Sequence, residues 1–236
     1  LRAAFEMTKR ITDQTDANFI IHLDHGSEDE VLEAIELGFT SIMFDGAHHE
    51  FEDNLKVTRE IVKRCHDHGI FVEAELGRIP DVGQQVNWQD FYTDVAEAER
   101  FAAETGIDSL AISCGVVHGV MPNLKQEPLA IDRVQQIKAV VDIPLVMHGA
   151  SGVPDEEIKA VIAAGISKIN ADTDLRFEFR RGIEEVWSKG DAQLEVAMSK
   201  GRELMTAATV EKMKLFGANG RVSVTANKSA NPLRHW

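Results

Sequence analysis

Cysteine is scarce in this sequence. The only two, Cys65 and Cys114, lie far apart and lack the short spacing of metal-binding cysteine motifs. This leaves no basis for a disulfide framework and fits a reducing, cytoplasmic compartment. Cys114 ends an apolar run, so we expect a small core residue there rather than a functional thiol.

The sequence also lacks long apolar runs and has fewer basic than acidic residues. No apolar stretch approaches the roughly 20 residues of a membrane-spanning helix, and residues 1–10 have an amphipathic helical pattern instead of a signal peptide. Lys and Arg number 25 against 39 Asp and Glu, which gives a formal net charge of −14. This balance argues against nucleic acid and membranes as partners, because both attract basic surfaces. A phosphorylated substrate is not excluded, since it needs only local donors.

Strand-like and helical segments alternate regularly along the chain. Six short runs rich in β-branched residues have little polar alternation, so both faces of each strand should be buried. Longer segments of helical period separate them, as in a parallel sheet with crossover helices. The predicted strands are residues 19–25, 40–46, 70–76, 109–115, 143–149 and 166–172.

Capping residues mark several helix ends. Ser27, with Glu30 three residues later, forms a capping-box pattern, and Gly38 closes the same segment. A last long helical region is predicted from about 174 to 217, and residues 223–236 have no period.

The alternation predicts an α/β fold of the (β/α)8 barrel type. A closed barrel needs eight strands and about 250 residues, but this sequence has six strand–helix units and opens in a helix. We therefore expect the first one or two βα units to be absent from it. Residues 1–188 are predicted to form the catalytic barrel, and residues 189–236 the C-terminal helices and tail of the same domain. Two polar segments, 77–93 and 116–129, follow strand ends and would lie over the barrel mouth.

Three histidines share one sequence context. His25, His118 and His148 each end a strand-like run and precede a glycine. Strand ends of an α/β barrel converge on one pocket, and three protein ligands with an open fourth position make a catalytic zinc site. A lone histidine would more simply be a hydrogen-bonded strand end, but the shared context favours a metal centre. The ligand type leaves another divalent ion possible.

An acid stands directly before the first of these histidines. Asp24 could move protons for a metal-bound substrate. Helix capping is the alternative role, but Ser27 already fills it. Neighbouring strand residues point to opposite faces, so Asp24 and His25 can share a site only if the strand ends there, which Gly26 permits.

Carboxylates end two further strands. Asp45 and Glu75 lie in apolar runs, where an unpaired charge is costly to bury. They could bind a second cation or hydrogen-bond the ligand histidines. Glu73 competes with Glu75 for that role, but Glu75 is nearer the strand end.

Two later segments have the composition of an anion site. In HGASG (148–152), backbone N–H groups and the Ser151 hydroxyl precede a helix that starts near Pro154. In NADTD (170–174), polar residues end the next strand, where barrels often bind phosphate. The candidate residues here are Gly149, Ala150, Ser151, Asn170, Asp172 and Thr173.

These motifs together resemble the class II, metal-dependent fructose-1,6-bisphosphate and tagatose-1,6-bisphosphate aldolases. The matching stretches include HLDHG, VEAELG, VVHG, HGASG and GISKINADTDLR, and the likeness spans about residues 15–222. The resemblance implies a TIM barrel and a homodimer or homotetramer in the cytoplasm.

The resemblance also implies roles for individual residues. His25, His118 and His148 would bind the catalytic zinc, Asp24 would be the acid/base, and Asp45 and Glu75 would line an alternative metal position. The dihydroxyacetone phosphate half of the substrate would be held by Gly119, Gly149, Ala150, Ser151, Asn170, Ala171, Asp172 and Thr173. A sodium or potassium ion near that phosphate is a further implication. Lys168 could instead suggest a Schiff-base lysine, but the histidine set leaves it no such role.

The sequence departs from the family pattern at the far end of the substrate. A glutamate usually follows the second Glu of VEAELG by eight residues, but this position is Gly83, and Asp81 is the nearest acid. Met121 and Pro122 replace a frequent Tyr-Lys pair. A ketose 1-phosphate with another anionic group at C6, such as 6-deoxy-6-sulfofructose 1-phosphate, therefore remains an alternative to the 1,6-bisphosphate.

The sequence thus predicts a zinc-dependent aldolase that cleaves a ketose 1,6-bisphosphate to dihydroxyacetone phosphate and an aldehyde. A metal-dependent hydrolase is a second reading, but His22 and His25 lack the HxH spacing usual in such barrels. A non-catalytic barrel is a third reading. Asp24 argues against it, because a protein that only binds has little use for an acid beside a metal.

Overall fold

The computed structural model describes residues 1–15, 19–77, 91–116, 128–190 and 193–221. These residues form six strands and eight helices. The strands are β1 (His22–Gly26), β2 (Ser41–Phe44), β3 (Phe71–Leu76), β4 (Ser109–Ile112), β5 (Leu145–Met147) and β6 (Ile166–Ile169). The helices are α1 (Arg2–Thr12), α2 (Glu28–Leu37), α3 (Phe51–His66), α4 (Val95–Thr105), α5 (Ile131–Val140), α6 (Asp155–Ala164), α7 (Thr173–Trp187) and α8 (Leu194–Leu215).

All six predicted strands are confirmed, each somewhat shorter than its apolar run. They form one sheet in the order β1-β2-β3-β4-β5-β6, and every neighbouring pair is parallel. Helices α2 to α6 provide the crossovers, so the carboxyl ends of all six strands lie at one edge of the sheet. The predicted α/β class and barrel-type alternation are therefore confirmed.

The sheet is strongly curved. Asp24 lies in β1 and Asn170 directly follows β6, at opposite ends of the strand order. Five strand spacings in a flat sheet would separate them by about 24 Å, yet the Asn170 side-chain amide donates a hydrogen bond to Asp24 Oδ1 over 3.1 Å. The six strands therefore bend into the arc of a barrel, with their carboxyl ends around one mouth.

Both faces of the sheet are buried, which explains the continuous apolar runs. The outer face joins the helices in a large core that includes Phe44, Phe101 and Leu110. On the inner face, Met43, Ala111 and Val146 form a small apolar cluster. Glu75, Ala111, Val146 and Lys168 lie level with one another across β3 to β6, so ionisable side chains share this inner layer.

The predicted capping box forms as the sequence indicates. The Ser27 hydroxyl accepts a hydrogen bond from the Glu30 N–H, and the Glu30 carboxylate accepts one from the Ser27 N–H. Gly38 closes α2 in the left-handed conformation, with a φ of 86°. These local signals fix where the chain turns back after β1.

The predicted C-terminal helical region, residues 174–217, consists of two helices. It is divided into α7 and α8, with a left-handed Gly190 (φ 85°) in the break between them. The two helices touch through their backbones, because a Cβ built on Gly182 would lie 2.6 Å from Gly201 Cα. The predicted aperiodic tail, 223–236, is outside the described residues. Among those described, no helix is both long and apolar enough to cross a membrane.

Candidate active site

A bend in β1 brings Asp24 and His25 to one place. His25 has a φ of 50°, in the left-handed region that costs a non-glycine residue about 1–3 kcal/mol. The pairing with β2 is irregular between Leu23 and Gly26, although the strand continues to Gly26. The sequence predicted a strand end at this point, whereas the structure has a bend. The bend allows Asp24 and His25 to face the same place, because ligand atoms of Asp24, His25 and His148 lie within 4.8 Å of one another.

Two of the three predicted metal ligands are neighbours in space. His25 Nε2 and His148 Nδ1 are 3.0 Å apart, and their rings meet edge to face at 84°. Two nitrogens bound to one tetrahedral zinc ion lie about 3.3 Å apart, so this spacing is close to that of a shared cation. His118 and Gly119 lie outside the described residues, as do Asp81, Gly83, Met121 and Pro122.

A carboxylate contacts the far nitrogen of each of these histidines. His25 Nδ1 is 2.7 Å from Asp45 Oδ2, and His148 Nε2 is 2.8 Å from Glu73 Oε1. A proton on each far nitrogen satisfies these bonds and leaves the facing nitrogens able to bind a cation. The hydrogen bond raises the pKa of His25 and lowers that of Asp45.

The structure gives Glu73 the histidine contact that the sequence analysis favoured for Glu75. Glu73 is buried and bridges His148 to Lys168, whose Nζ lies 2.7 Å from Glu73 Oε2. Burial alone would raise the pKa of Glu73, but the hydrogen bonds and charges of His148 and Lys168 lower it. Lys168 therefore has a partner and a position in the site, which the sequence analysis did not identify.

Glu75 occupies a different environment. It is buried, and its Oε2 has no hydrogen-bond partner among the described residues. Burial raises the pKa of Glu75 to about 7. Ligand atoms of His25, Asp45 and Glu75 lie within 4.8 Å of one another, so the three side chains are close enough to share one cation. An unpartnered buried carboxylate beside a second carboxylate is a natural ligand for a cation.

The predicted anion-site residues border the same cavity. Its volume is about 550 Å³. Its lining consists of Asp24, His25, Asp45, His148, Gly149, Ala150, Ser151, Asn170, Asp172, Thr173 and Arg176. Of the predicted residues that the structure describes, Ala171 and Glu75 are absent from this lining.

Ser151 is directed toward a different helix from the one expected. Its hydroxyl accepts a hydrogen bond from the N–H of Asp174, at 3.2 Å, in the first turn of α7. From the sequence, this group was expected at the start of the helix near Pro154, which is α6. The hydroxyl therefore joins the HGASG and NADTD segments into one wall of the cavity.

The cavity lining also contains one arginine. Arg176 lines the cavity and lies 2.8 Å from Asp172 Oδ2. Arg180 instead pairs with Glu184 on the exposed side of α7. Arg176 lies one helical turn after the predicted site residue Asp172, and this spacing is the sequence signal that could have found it.

A comparison with known protein families identifies the chain. The family described as fructose-bisphosphate aldolase class-II matches residues 1–221. The chain belongs to this family. It is a class II aldolase, a lyase, with the TIM-barrel type of fold.

Relatives of this aldolase have been named for more than one substrate. It is 37% identical over 207 residues to a fructose-bisphosphate aldolase of Geobacillus stearothermophilus, covering 86% of this chain and 71% of the relative. It is 34% identical over 212 residues to the 6-phospho-5-dehydro-2-deoxy-D-gluconate aldolase of Shouchella clausii, covering 88% and 71%. The solved structure of the YdjI aldolase of Escherichia coli K12 has a TM-score of 0.80 and 32% identity, covering 94% of this chain and 78% of that chain.

Proposed function

We propose that this aldolase uses zinc to cleave a ketose 1,6-bisphosphate, of the fructose or tagatose type, reversibly into dihydroxyacetone phosphate and an aldehyde. The observation that carries the proposal is the 3.0 Å approach of His25 Nε2 to His148 Nδ1 beside Asp24. Imidazole nitrogens suit zinc. In the proposal His118 is the third ligand, on the strength of its VVHG motif.

The residues around these histidines fit the requirements of aldol cleavage. Bound zinc would supply a Lewis acid that stabilises the charge left on the substrate carbonyl. Asp24 takes the proton of the C4 hydroxyl in cleavage and returns one in condensation. Asn170 orients the Asp24 carboxylate through its amide. Asp45 and Glu75, with His25, provide the alternative metal position.

The phosphate of dihydroxyacetone phosphate is assigned to the wall formed by HGASG and NADTD. The N–H groups at the start of α7 suit an anion. In this assignment the contacts come from Gly119, Gly149, Ala150, Ser151, Asn170, Ala171, Asp172 and Thr173. A sodium or potassium ion beside the phosphate and a dimeric or tetrameric assembly are further expectations from the family resemblance.

Chelation tests the metal requirement. We expect retro-aldol cleavage of fructose 1,6-bisphosphate or tagatose 1,6-bisphosphate to stop after EDTA treatment and to return when zinc is added. Release of the triose phosphate can be followed with a coupled assay. Full activity in a preparation that elemental analysis finds free of metal would refute zinc dependence.

Substitution of the acid tests the proton transfer. We expect Asp24→Asn to lower kcat by about 10²–10⁴-fold, because general acid–base catalysis contributes about this much. Zinc content should not change, since the role assigned to Asp24 is proton transfer. Asp132→Asn, on the exposed side of α5, is the matched control. Near-normal turnover of Asp24→Asn would exclude this acid as the general base.

A ketose 1-phosphate with a different group at C6 is the second candidate substrate. Gly83 stands where the family usually has a proton-shuttling glutamate, and a relative is named for another phosphorylated compound. A screen of phosphorylated ketoses, including 6-deoxy-6-sulfofructose 1-phosphate, distinguishes the two. A kcat/KM highest for a substrate without a 6-phosphate would favour this second candidate.

A further inference from the structure

The phosphate wall contains two acids that oppose its proposed role. Asp172 is the N-cap residue of α7 and lines the cavity, whereas Asp174, in the first turn of α7, lies beside the cavity lining without being part of it. Two carboxylates there would repel a phosphate, in a chain that already has a net charge of −14. Building on the proposed function, we propose that Lys212 of α8 neutralises Asp174 and so allows the start of α7 to hold the phosphate of dihydroxyacetone phosphate.

The contact of Lys212 has the geometry of a strong ion pair. Its Nζ lies 2.6 Å from Asp174 Oδ2, and the two side chains are only 21% and 27% exposed. The corresponding pair of Arg176 with Asp172, at 2.8 Å, is 68% and 69% exposed. Charges screened less by water interact more strongly, so Asp174 depends on its partner more than Asp172 does.

Asp174 is also joined to the anion site through its backbone. Its N–H donates to the Ser151 hydroxyl, which lines the cavity with Thr173. Lys212 therefore balances the charge of a residue whose backbone is hydrogen-bonded to the cavity lining. Lys212 is absent from the cavity lining, so it is a positioning residue that acts through Asp174.

The packing of α7 against α8 holds Lys212 in place. Gly182 and Gly201 bring the two helix backbones into contact. Asp174 lies about two turns before Gly182, and Lys212 about three turns after Gly201. The helices are thus antiparallel, and the end of α8 lies over the start of α7. No local signal in the sequence indicates this contact.

The experiment compares lysines from the last turn of α8. In Lys212→Met, we expect the Kd for dihydroxyacetone phosphate and for inorganic phosphate to rise about tenfold, which corresponds to about 1.4 kcal/mol. Calorimetry measures both constants, and KM should rise more than kcat falls. Lys214→Met is the matched control, because Lys214 pairs with Glu211 on the exposed side of the same helix. Lys212→Arg should bind both ligands nearly as tightly as the wild type.

Removing Asp174 as well as Lys212 distinguishes charge neutralisation from a purely structural role of the ion pair. If Lys212 balances charge, the double variant Lys212→Met/Asp174→Asn should have a Kd for phosphate within about twofold of that of the wild type, because it has no unpaired carboxylate at this position. Asp174→Asn alone should bind it at least as tightly as the wild type. The latter variant also provides a test if Lys212→Met does not fold.

Several results would overturn the inference. They are a Lys212→Met affinity equal to that of Lys214→Met, a double variant as weak as Lys212→Met, or weakened binding in Asp174→Asn. If the wild type binds dihydroxyacetone phosphate and cleaves a phosphorylated ketose, these results refute only the role of Lys212 and leave the proposed function standing. A wild type that does neither refutes the proposed function, and the inference falls with it.

Discussion

Glu73 and Glu75 lie two residues apart on the same face of β3 but have opposite electrostatic environments. Hydrogen bonds from His148 and Lys168 keep the pKa of Glu73 low, whereas burial raises that of Glu75 to about 7. At the level of single residues, the site therefore contains one carboxylate committed to a histidine and one available to a cation.

Glu73→Gln should weaken zinc binding. Removing a carboxylate that orients a ligand histidine costs about 10–100-fold in metal affinity, and the charge lost here is the one that contacts His148 Nε2. Competition with a chromogenic chelator measures this affinity without any activity assay. Glu99→Gln, on the exposed side of α4, is the control. Unchanged zinc affinity in Glu73→Gln would show that His148 needs no such support.

Strand periodicity predicted the shared face of these glutamates but not their partners. The register places Lys168 level with Glu75, yet its ion pair is with Glu73. That choice depends on the curvature of the sheet, which brings side chains of non-neighbouring strands together. His25, Asp45 and His148 were easier to find, because a strand end followed by a turn has a local sequence signature.

Among the secondary-structure elements, the two C-terminal helices were the least predictable. A helical period continues on both sides of Gly190, so the sequence predicted a helical region from about 174 to 217 without indicating where α7 ends and α8 begins. The six strands and the capping box were predicted correctly because apolar runs and capping residues are local features. The contact between Gly182 and Gly201 depends on the antiparallel arrangement of two helices, which no local pattern encodes.

Gly182→Ala should destabilise the protein. Alanine favours an isolated helix by about 1 kcal/mol, but the added Cβ would lie 2.6 Å from backbone atoms of Gly201. Overpacking costs about 1–3 kcal/mol, and backbone atoms cannot rotate away as a side chain could. We expect a net loss of up to about 2 kcal/mol in the free energy of unfolding, measured by urea denaturation. Ser199→Ala, exposed on α8, is the control for an alanine substitution without overpacking, and it removes only a long hydrogen bond of 3.4 Å from Arg202. A Gly182→Ala protein more stable than the wild type would contradict the close packing.

In the molecule as a whole, the candidate metal ligands come from distant parts of the sheet. His25 belongs to β1, at one edge, and His148 follows β5, next to the other edge. A cation bound by both would connect parts of the chain that the backbone ladder joins only through the intervening strands. Metal binding should therefore stabilise the whole fold.

Zinc should raise the thermal midpoint of the metal-free protein. A ligand at 100 times its Kd adds about 2.7 kcal/mol, or about 5–10 °C for a chain of this size. The increase should be smaller at pH 6 than at pH 8, because the raised pKa of His25 means that its proton must be displaced at the lower pH. Differential scanning calorimetry measures the change. His148→Ala should lose most of it, and an equal increase in that variant would place the zinc elsewhere.

The hydrogen bond between Asp24 and Asn170 joins residues 146 positions apart in the chain. Contacts of such long range form late in folding, because the entropy of closing the intervening chain has to be overcome first. A partly folded chain with every strand paired to its neighbour would still lack the hydrogen bond that orients Asp24, the proposed acid. The rate at which catalysis returns during refolding is therefore a measure of how fast the curved sheet brings its two edges together.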